Sequence, residues 1–135
     1  MNNPFGNKYK LYSETGYNLT IRNDGTILGT KDDFDPDVNL QILQGDEVGH
    51  VRIQGVSTNL FVCFNKNGKL YGEADKNKFG TIFEESFAGS YTSYRSVAYP
   101  DWYLGIKKSG LTKRGPKTLW GTRSTKFLPR RWQLE

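Results

Sequence analysis

Three turns that end in glycine recur at a nearly constant interval, and this repeat limits the folds open to the chain. The glycines are Gly25, Gly68 and Gly110, so the intervals are 43 and 42 residues. Each turn follows a short apolar strand pattern and precedes another one. A period within the range of about 20–50 residues indicates repeated supersecondary units.

Short aromatic and branched segments bounded by turn residues predict strands in every unit. They lie at residues 17–21, 40–43, 51–56, 60–64, 81–84, 102–107 and 125–128. No window carries the 3.6-residue apolar period of a long helix. Three all-β units favour a closed sheet, because closure removes exposed edges.

We therefore predict an all-β protein with a β-trefoil fold, in which a closed barrel carries a hairpin cap. The prediction is one domain over residues 1–135, with pseudo-repeats of about 42 residues at 9–50, 51–93 and 94–135. Residues 1–7 are expected to be flexible. No stretch approaches the roughly 20 apolar residues of a membrane helix, so no membrane insertion is expected.

Charge is distributed unevenly along the chain. Residues 102–134 contain nine Lys or Arg and no Asp or Glu, whereas the remainder has ten basic and fourteen acidic residues. The densest part is KKSGLTKRGPK, from Lys107 to Lys117. Such polarity attracts an anionic partner, although a solvated face is the ordinary alternative for a charge run.

The basic run also coincides with a difference between the repeats. Four residues separate the turn glycine from the next glycine in units one and two (Gly29 and Gly72). If Gly121 of the LWG sequence is the matching glycine, unit three carries a seven-residue insertion. A charged loop that the fold does not require is typical of a functional segment.

Residues that could support catalysis or metal binding are sparse. Cys63 lies in the apolar sequence LFVCF, where a small buried side chain is favoured over a nucleophile. His50 has no second His or Cys to form a metal site or a dyad. The aspartates at 32, 33, 35 and 37 lack the pattern of a calcium loop, so a solvated loop is preferred. We expect no enzyme activity, no metal and no cofactor.

The large aromatic residues have two readings. Trp102, Trp120, Phe127 and Trp132 recur with the predicted strands, which favours core positions over a base-stacking platform. The NLT sequence at 18–20 fits the glycosylation pattern, but it lies in a predicted strand.

Several separated motifs together resemble the fibroblast growth factors, in the same order, over roughly residues 8–129. They are DGTILGTKDD, EVGHVRIQGVSTNLFVCFNKNGKLYG, YTSYRS, WYLGIKKSGLTKRGPKT and KFLP. The likeness is closest to the acidic type, and the chain resembles a divergent member. The resemblance implies a β-trefoil and a secreted or released ligand that acts outside the cell. MNNPFGNKYK at the N-terminus has no apolar run of the kind a signal peptide needs.

The resemblance implies two partners, heparan sulfate (or heparin) and the extracellular domains of a fibroblast growth factor receptor tyrosine kinase. Signalling then follows receptor dimerisation, and the ligand is expected to be a monomer without heparin. The heparin-binding residues implied are Lys107, Lys108, Lys113, Arg114, Lys117 and Arg123, with Lys126 added from proximity. The receptor-binding residues implied are Tyr12, Glu84, Tyr91 and Leu128.

The chain departs from the family pattern at both surfaces. Glu14 and Thr15 stand near the place of an Asn that usually completes the heparin site, and a carboxylate there opposes a sulfate. Gly89 replaces an Asn two residues before the matched Tyr91. Arg130 replaces an apolar residue two after Leu128.

Two other functions stay open from the residues alone. A basic segment with interleaved aromatic residues is also typical of nucleic-acid or other polyanion binding without receptor activity, although no recognition motif supports nucleic acid. A sugar-binding or protease-inhibiting trefoil is the third class. Neutral-sugar trefoils tend to repeat a Gln-x-Trp motif, which this sequence lacks.

Overall fold

The computed structural model describes residues 7–131, and the predicted core position of Trp132 and the expected flexibility of the first six residues lie outside that range. The described residues contain three short 3-10 turns, at Pro36–Val38, Gly115–Lys117 and Arg123–Thr125, and no longer helix. None of these helices has the length and apolar character needed to cross a membrane. The strands are β1 (Lys8–Ser13), β2 (Asn18–Ile21), β3 (Ile27–Thr30), β4 (Leu40–Gln44), β5 (His50–Gly55), β6 (Phe61–Phe64), β7 (Leu70–Glu73), β8 (Phe83–Ala88), β9 (Tyr91–Ser96) and β10 (Phe127–Arg131).

Six of the strands close into an antiparallel barrel. β1 pairs with β10, β10 with β9, β9 with β8, β8 with β5, β5 with β4, and β4 pairs back with β1. The inward residues follow the two-residue period of a strand, as in β5, where Val51, Ile53 and Gly55 are buried and the residues between them are partly exposed. The all-β and β-trefoil predictions are confirmed.

Three hairpins cover one end of the barrel. Two are formed by β2 with β3 and by β6 with β7. The third lies within residues 103–112 and is joined by the isolated bridge Ile106↔Thr112, while the bridge Leu28↔Leu111 connects the first and third hairpins.

The strand predicted at residues 102–107 is wrong as a continuous element. The backbone of this segment divides its hydrogen bonds among three neighbours. Leu104 donates to the Tyr94 carbonyl at 2.9 Å, Ile106 to the Ser124 carbonyl at 2.9 Å, and the Gly105 carbonyl accepts from Lys113 at 2.8 Å. Apolar composition predicts burial here, but it does not reveal which backbone partners the segment has.

A ring of backbone hydrogen bonds joins the three hairpins. In each bond a glycine N–H donates to the carbonyl of a turn glycine in a neighbouring unit. The bonds are Gly72 to Gly25 at 2.7 Å, Gly115 to Gly68 at 2.8 Å, and Gly29 to Gly110 at 2.7 Å. All three turn glycines have φ between 83° and 89°, a left-handed conformation that favours glycine.

This ring corrects the predicted seven-residue insertion. Gly115, and not Gly121, occupies the position in unit three that Gly29 and Gly72 occupy in the other units. Five residues separate Gly110 from Gly115, against four in the other units. From the ring glycine to the first residue of the barrel strand the distances are 11, 11 and 12 residues, ending at β4, β8 and β10. Unit three is thus two residues longer, and the basic run belongs to the shared scaffold.

The core fills the barrel and the base of the cap. Trp102 packs on the core partly buried, and its ring stacks on Tyr99 at 4.4 Å. Cys63 is fully buried, and its predicted role as a small core residue is confirmed. The prediction for Trp120 is wrong, because it lies in a surface turn after the 3-10 turn and is 56% exposed. The fully buried large side chains include Leu11, Leu19, Ile21, Leu40, Ile53, Phe64, Phe83, Tyr94, Leu104, Ile106 and Phe127.

Gly115 generates a prediction about stability. A Cβ at this position would lie 2.5 Å from the Trp102 ring, so Gly115→Ala must displace either the ring or the hydrogen bond to Gly68. We expect the free energy of unfolding to fall by about 1–3 kcal/mol, as for other overpacked sites. Chemical denaturation measures the change. Gly105→Ala is the control, since its added Cβ would meet nothing closer than 3.4 Å; equal losses in the two variants would contradict the packing argument.

Candidate functional site

The backbone brings the separate parts of the basic segment together. Lys113 donates its N–H to the Gly105 carbonyl at 2.8 Å, and Ile106 donates to Ser124 at 2.9 Å. The two 3-10 turns carry Lys117 and Arg123. Residues 105–107, 113–117 and 123–126 therefore form one hydrogen-bonded unit, which we call the basic platform.

Most cations of the basic platform face solvent. Lys107, Lys108, Arg114, Lys117 and Arg123 are exposed. The Arg114 guanidinium donates to the Asn67 carbonyl, which fixes its direction without neutralising its charge.

Carboxylates hardly neutralise the platform. Of the seven predicted heparin-binding residues, all within residues 7–131, only Lys126 has an ion pair with a carboxylate, and that pair, with Glu14, is long at 3.9 Å. Lys113 and Lys126 are also the two that are only partly exposed. Like charges held on one backbone unit repel one another, so an external polyanion that binds them removes this repulsion.

Glu14 lies at the edge of the platform, as its position in the sequence suggests. Its N–H donates to the Lys126 carbonyl at 3.0 Å, and Arg123 donates to the Glu14 carbonyl at 3.3 Å. Thr15 donates its hydroxyl to the Ile106 carbonyl at 3.1 Å. The first hairpin therefore adds one negative charge to this corner, and Lys126 is the predicted cation that it most directly opposes.

Three of the four predicted receptor-binding residues come from neighbouring strands on the barrel wall. Tyr12 of β1 is directly opposite Leu128 of β10. Tyr91 of β9 is one residue along from the pair Phe127↔Thr92, which places it beside Leu128. Leu128 is 38% exposed although it is apolar. We call Tyr12, Leu128 and Tyr91 the apolar row.

Glu84 lies on the same wall but at a distance from the apolar row. Tyr91 pairs with Ala88, and Glu84 is four residues away along β8, or about 13 Å at the usual rise of a strand. Its carboxylate accepts from Arg95 at 2.9 Å, and the two are cross-strand partners. Sequence reasoning missed Arg95, because nothing in YTSYRS indicates which carboxylate its arginine meets.

Arg130 builds a polar cluster at the other end of the apolar row. Its guanidinium lies 4.6 Å from the centre of the Tyr12 ring and donates to Asn18 at 2.9 Å and to Asp33 at 3.2 Å. Asn18 is fully buried and donates to the Asp33 carboxylate at 2.7 Å. Its amide is therefore used inside the fold, in agreement with the strand reading of NLT. The charge of Arg130 at this position is held in place by two side chains from the first unit.

The fold and these surfaces first define a class of protein. A closed six-stranded barrel with three joined hairpins is a β-trefoil. This trefoil carries a cationic platform on its third unit and a separate apolar row on its wall, an arrangement suited to binding and without an evident catalytic group in the described part of the chain.

Comparison with known proteins then gives the family. The fibroblast growth factor model matches residues 7–128. Relatives include fibroblast growth factor 2 of Gallus gallus, 37% identical over 126 residues that cover 93% of this chain and 79% of that protein. The Bos taurus and Rattus norvegicus proteins of the same name are each 35% identical over 126 residues, covering 93% of this chain and 81% of theirs.

The chain belongs to the fibroblast growth factor family. It is therefore a growth factor ligand and not an enzyme, as predicted. These relatives are of the fibroblast growth factor 2 type, and the likeness to the acidic type stays a prediction from the motifs.

The Arg130 cluster generates a prediction about ionisation. The pKa of Asp33 is lowered chiefly because Asn18 donates to its carboxylate, and additionally because Arg130 lies beside it. A lowered folded pKa stabilises the fold above the unfolded value near 3.9, and this contribution is lost as pH falls through the folded pKa. Arg130→Met should raise the Asp33 pKa without abolishing the shift, because Asn18 remains.

Titration of the carboxyl carbons by NMR measures this pKa. Lys31→Met is the control, since the Lys31 ammonium lies over the Tyr17 ring and removal of its charge should leave Asp33 unchanged. An Asp33 pKa that is the same in the Arg130 variant and the unsubstituted protein would contradict the proposed contact.

Proposed function

We propose that this growth factor acts outside the cell by binding heparan sulfate and the extracellular domains of a fibroblast growth factor receptor, and that it promotes receptor dimerisation. The supporting observation is that the unneutralised cations and the apolar row occupy different elements of one rigid barrel. Two ligands can therefore bind together. Family membership supports both partners, since fibroblast growth factors in general bind such receptors and heparin-like polysaccharides.

The chemistry of the basic platform suits a sulfated polysaccharide. Its sulfates are permanent anions, to which Arg offers paired N–H donors and Lys a charge on a flexible stem. Lys107, Lys108, Lys113, Arg114, Lys117 and Arg123 are the residues proposed to bind, with Lys126 weakened by Glu14. Binding releases counterions, so affinity should fall steeply with salt.

The apolar row suits a protein partner. Tyr12, Leu128 and Tyr91 offer apolar area with two hydroxyl groups, which is typical of residues that dominate binding energy at interfaces. Glu84 and Arg95 add a polar edge on β8 and β9. One polysaccharide chain that holds ligand and receptor jointly raises their effective concentration, which favours pairing of two receptors.

Nucleic-acid binding is the second candidate, and the exposed Trp120 favours it. Its ring is 56% exposed beside the cations Lys117 and Arg123, and bases stack on such rings. The same basic platform would then hold phosphates instead of sulfates. A salt series with heparin and with duplex DNA of matched charge density separates the two: release from DNA at lower salt than from heparin supports sulfate recognition.

The platform generates a prediction about polyanion binding. The double variant Lys108→Ala with Lys117→Ala removes two exposed cations that make no side-chain ion pair in the described chain. We expect elution from immobilised heparin at lower salt, with the slope of log affinity against log salt reduced by up to about two. The melting temperature should stay the same or rise, because mutual repulsion decreases.

The control removes two lysines from another unit. Lys66→Ala with Lys76→Ala lowers the net charge equally but changes exposed residues outside the platform. If both double variants elute at the same salt, only net charge matters and the proposed platform is wrong.

The apolar row generates a prediction about the receptor. Leu128→Ala should weaken binding to the receptor ectodomain by about tenfold, the usual effect of truncating a central interface residue. Surface plasmon resonance measures the dissociation constant, and elution from heparin should not change. Val48→Ala is the matched control, since Val48 is fully exposed and lies outside the row. Unaltered receptor affinity in the Leu128 variant would exclude the row from the interface.

A further inference from the structure

A pocket of about 480 Å³ lies where the three hairpins of the cap meet. Its volume is within the range of about 300–1,000 Å³ that is typical of small-ligand sites. Residues from all three units line it, including Leu28 from the first, Lys69 from the second, and Leu111 from the third. We call it the cap pocket.

One side of the cap pocket is apolar. The bridge between Leu28 and Leu111 forms part of its wall, and Ile27 lies beside them. Leu111 is 58% exposed, an unfavourable position for a leucine side chain on a growth factor surface without a partner. The equivalent positions after the other two turn glycines are the polar residues Thr26 and Lys69, so the fold itself does not require an apolar residue there.

The opposite side of the cap pocket is cationic. Lys69, Lys107 and Arg114 line it, all three are exposed, and they come from two different units. The Arg114 guanidinium is held by the Asn67 carbonyl, and Asn67 itself lines the pocket.

No acidic residue lines the cap pocket. The acidic residue next to it in sequence, Asp24, has its carboxylate turned toward the N–H of Thr26 at 2.9 Å. The three cations are therefore left for an external anion.

We propose that the cap pocket binds a sulfated tyrosine side chain of an extracellular polypeptide. The aromatic ring would cover Leu28 and Leu111, and the sulfate would meet Lys69, Lys107 and Arg114. A sulfate ester offers three terminal oxygens to three cations, whereas a carboxylate offers two. A sugar ring fits the apolar wall less well, because its hydroxyl groups would lose water without gaining partners there.

The cap pocket is separable from the proposed heparin site. Lys107 and Arg114 belong to both, so heparin should compete with a sulfated tyrosine. Lys69 and Leu111 belong to the pocket alone, and the basic platform does not include them. Substitutions at these two residues therefore test the cap pocket while leaving the proposed polysaccharide site in place.

The experiment compares a peptide containing one sulfotyrosine with the same peptide containing tyrosine, each titrated into the full chain by calorimetry. We expect the sulfated peptide to bind at least about tenfold more tightly, as paired charge-assisted hydrogen bonds require. Lys69→Glu and Leu111→Gln should each remove most of this difference. Amide NMR shifts on binding should be largest at Leu28, Lys69 and Leu111.

The matched control is Lys66→Glu, an exposed lysine of the same turn that does not line the pocket. Equal binding of the two peptides, or equal losses in the Lys66 and Lys69 variants, would overturn the proposal. A sulfated disaccharide that displaces the peptide and binds the Leu111 variant as tightly as the unsubstituted protein would also overturn it.

Heparin elution and thermal unfolding of the same variants keep this result distinct from the proposed function. Heparin elution of Leu111→Gln, which changes no charge, should match that of the unsubstituted protein. If heparin binding fails in the unsubstituted protein but the sulfated peptide still binds, the cap pocket stands and the polysaccharide proposal falls.

Discussion

Three backbone hydrogen bonds between glycines hold the cap together, and the positions of both proposed surfaces depend on them. Each bond joins two units, and together they form a closed ring at 2.7–2.8 Å. Backbone groups buried among packed hairpins must find such partners, because an unpaired one costs a large part of a hydrogen bond. Glycine allows the approach: at Gly115 a Cβ would collide with the Trp102 ring. The ring therefore ties the basic platform to the core.

The repeat in the sequence predicted the fold because it recorded the turn chemistry of this ring. Gly25, Gly68 and Gly110 all need the left-handed conformation, so their spacing was visible without a structure. The ring partners were less visible. Gly121 and Gly115 are both plausible from local pattern, and only the hydrogen bond to Gly68 distinguishes them. Local similarity in LWG favoured the wrong glycine and hence an insertion that the fold does not contain.

Exposure was predictable for charged residues and less so for aromatic ones. The cations of the platform were found from composition, because no acidic residue in the segment can neutralise them. Trp120 was placed in the core from its type alone, yet it follows a tight 3-10 turn that carries it to the surface. Arg130 and Asp33 are 97 residues apart in sequence, and no spacing rule indicates that Asn18 would join them. Long-range polar clusters of this kind depend on strand register, which the sequence determines only through the whole fold.

The burial of Cys63 has a consequence for how the chain survives a change of environment. The thiol is fully buried, burial raises its pKa, and its Sγ lies 3.5 Å from the carbonyls of Phe64 and Phe79. Thiol exchange and oxidation proceed through an accessible thiolate, which the native state does not offer. It is the single cysteine of the chain. The folded protein can therefore move from a reducing compartment to an oxidising one with its covalent structure unchanged, and two copies will not become cross-linked through sulfur while they stay folded.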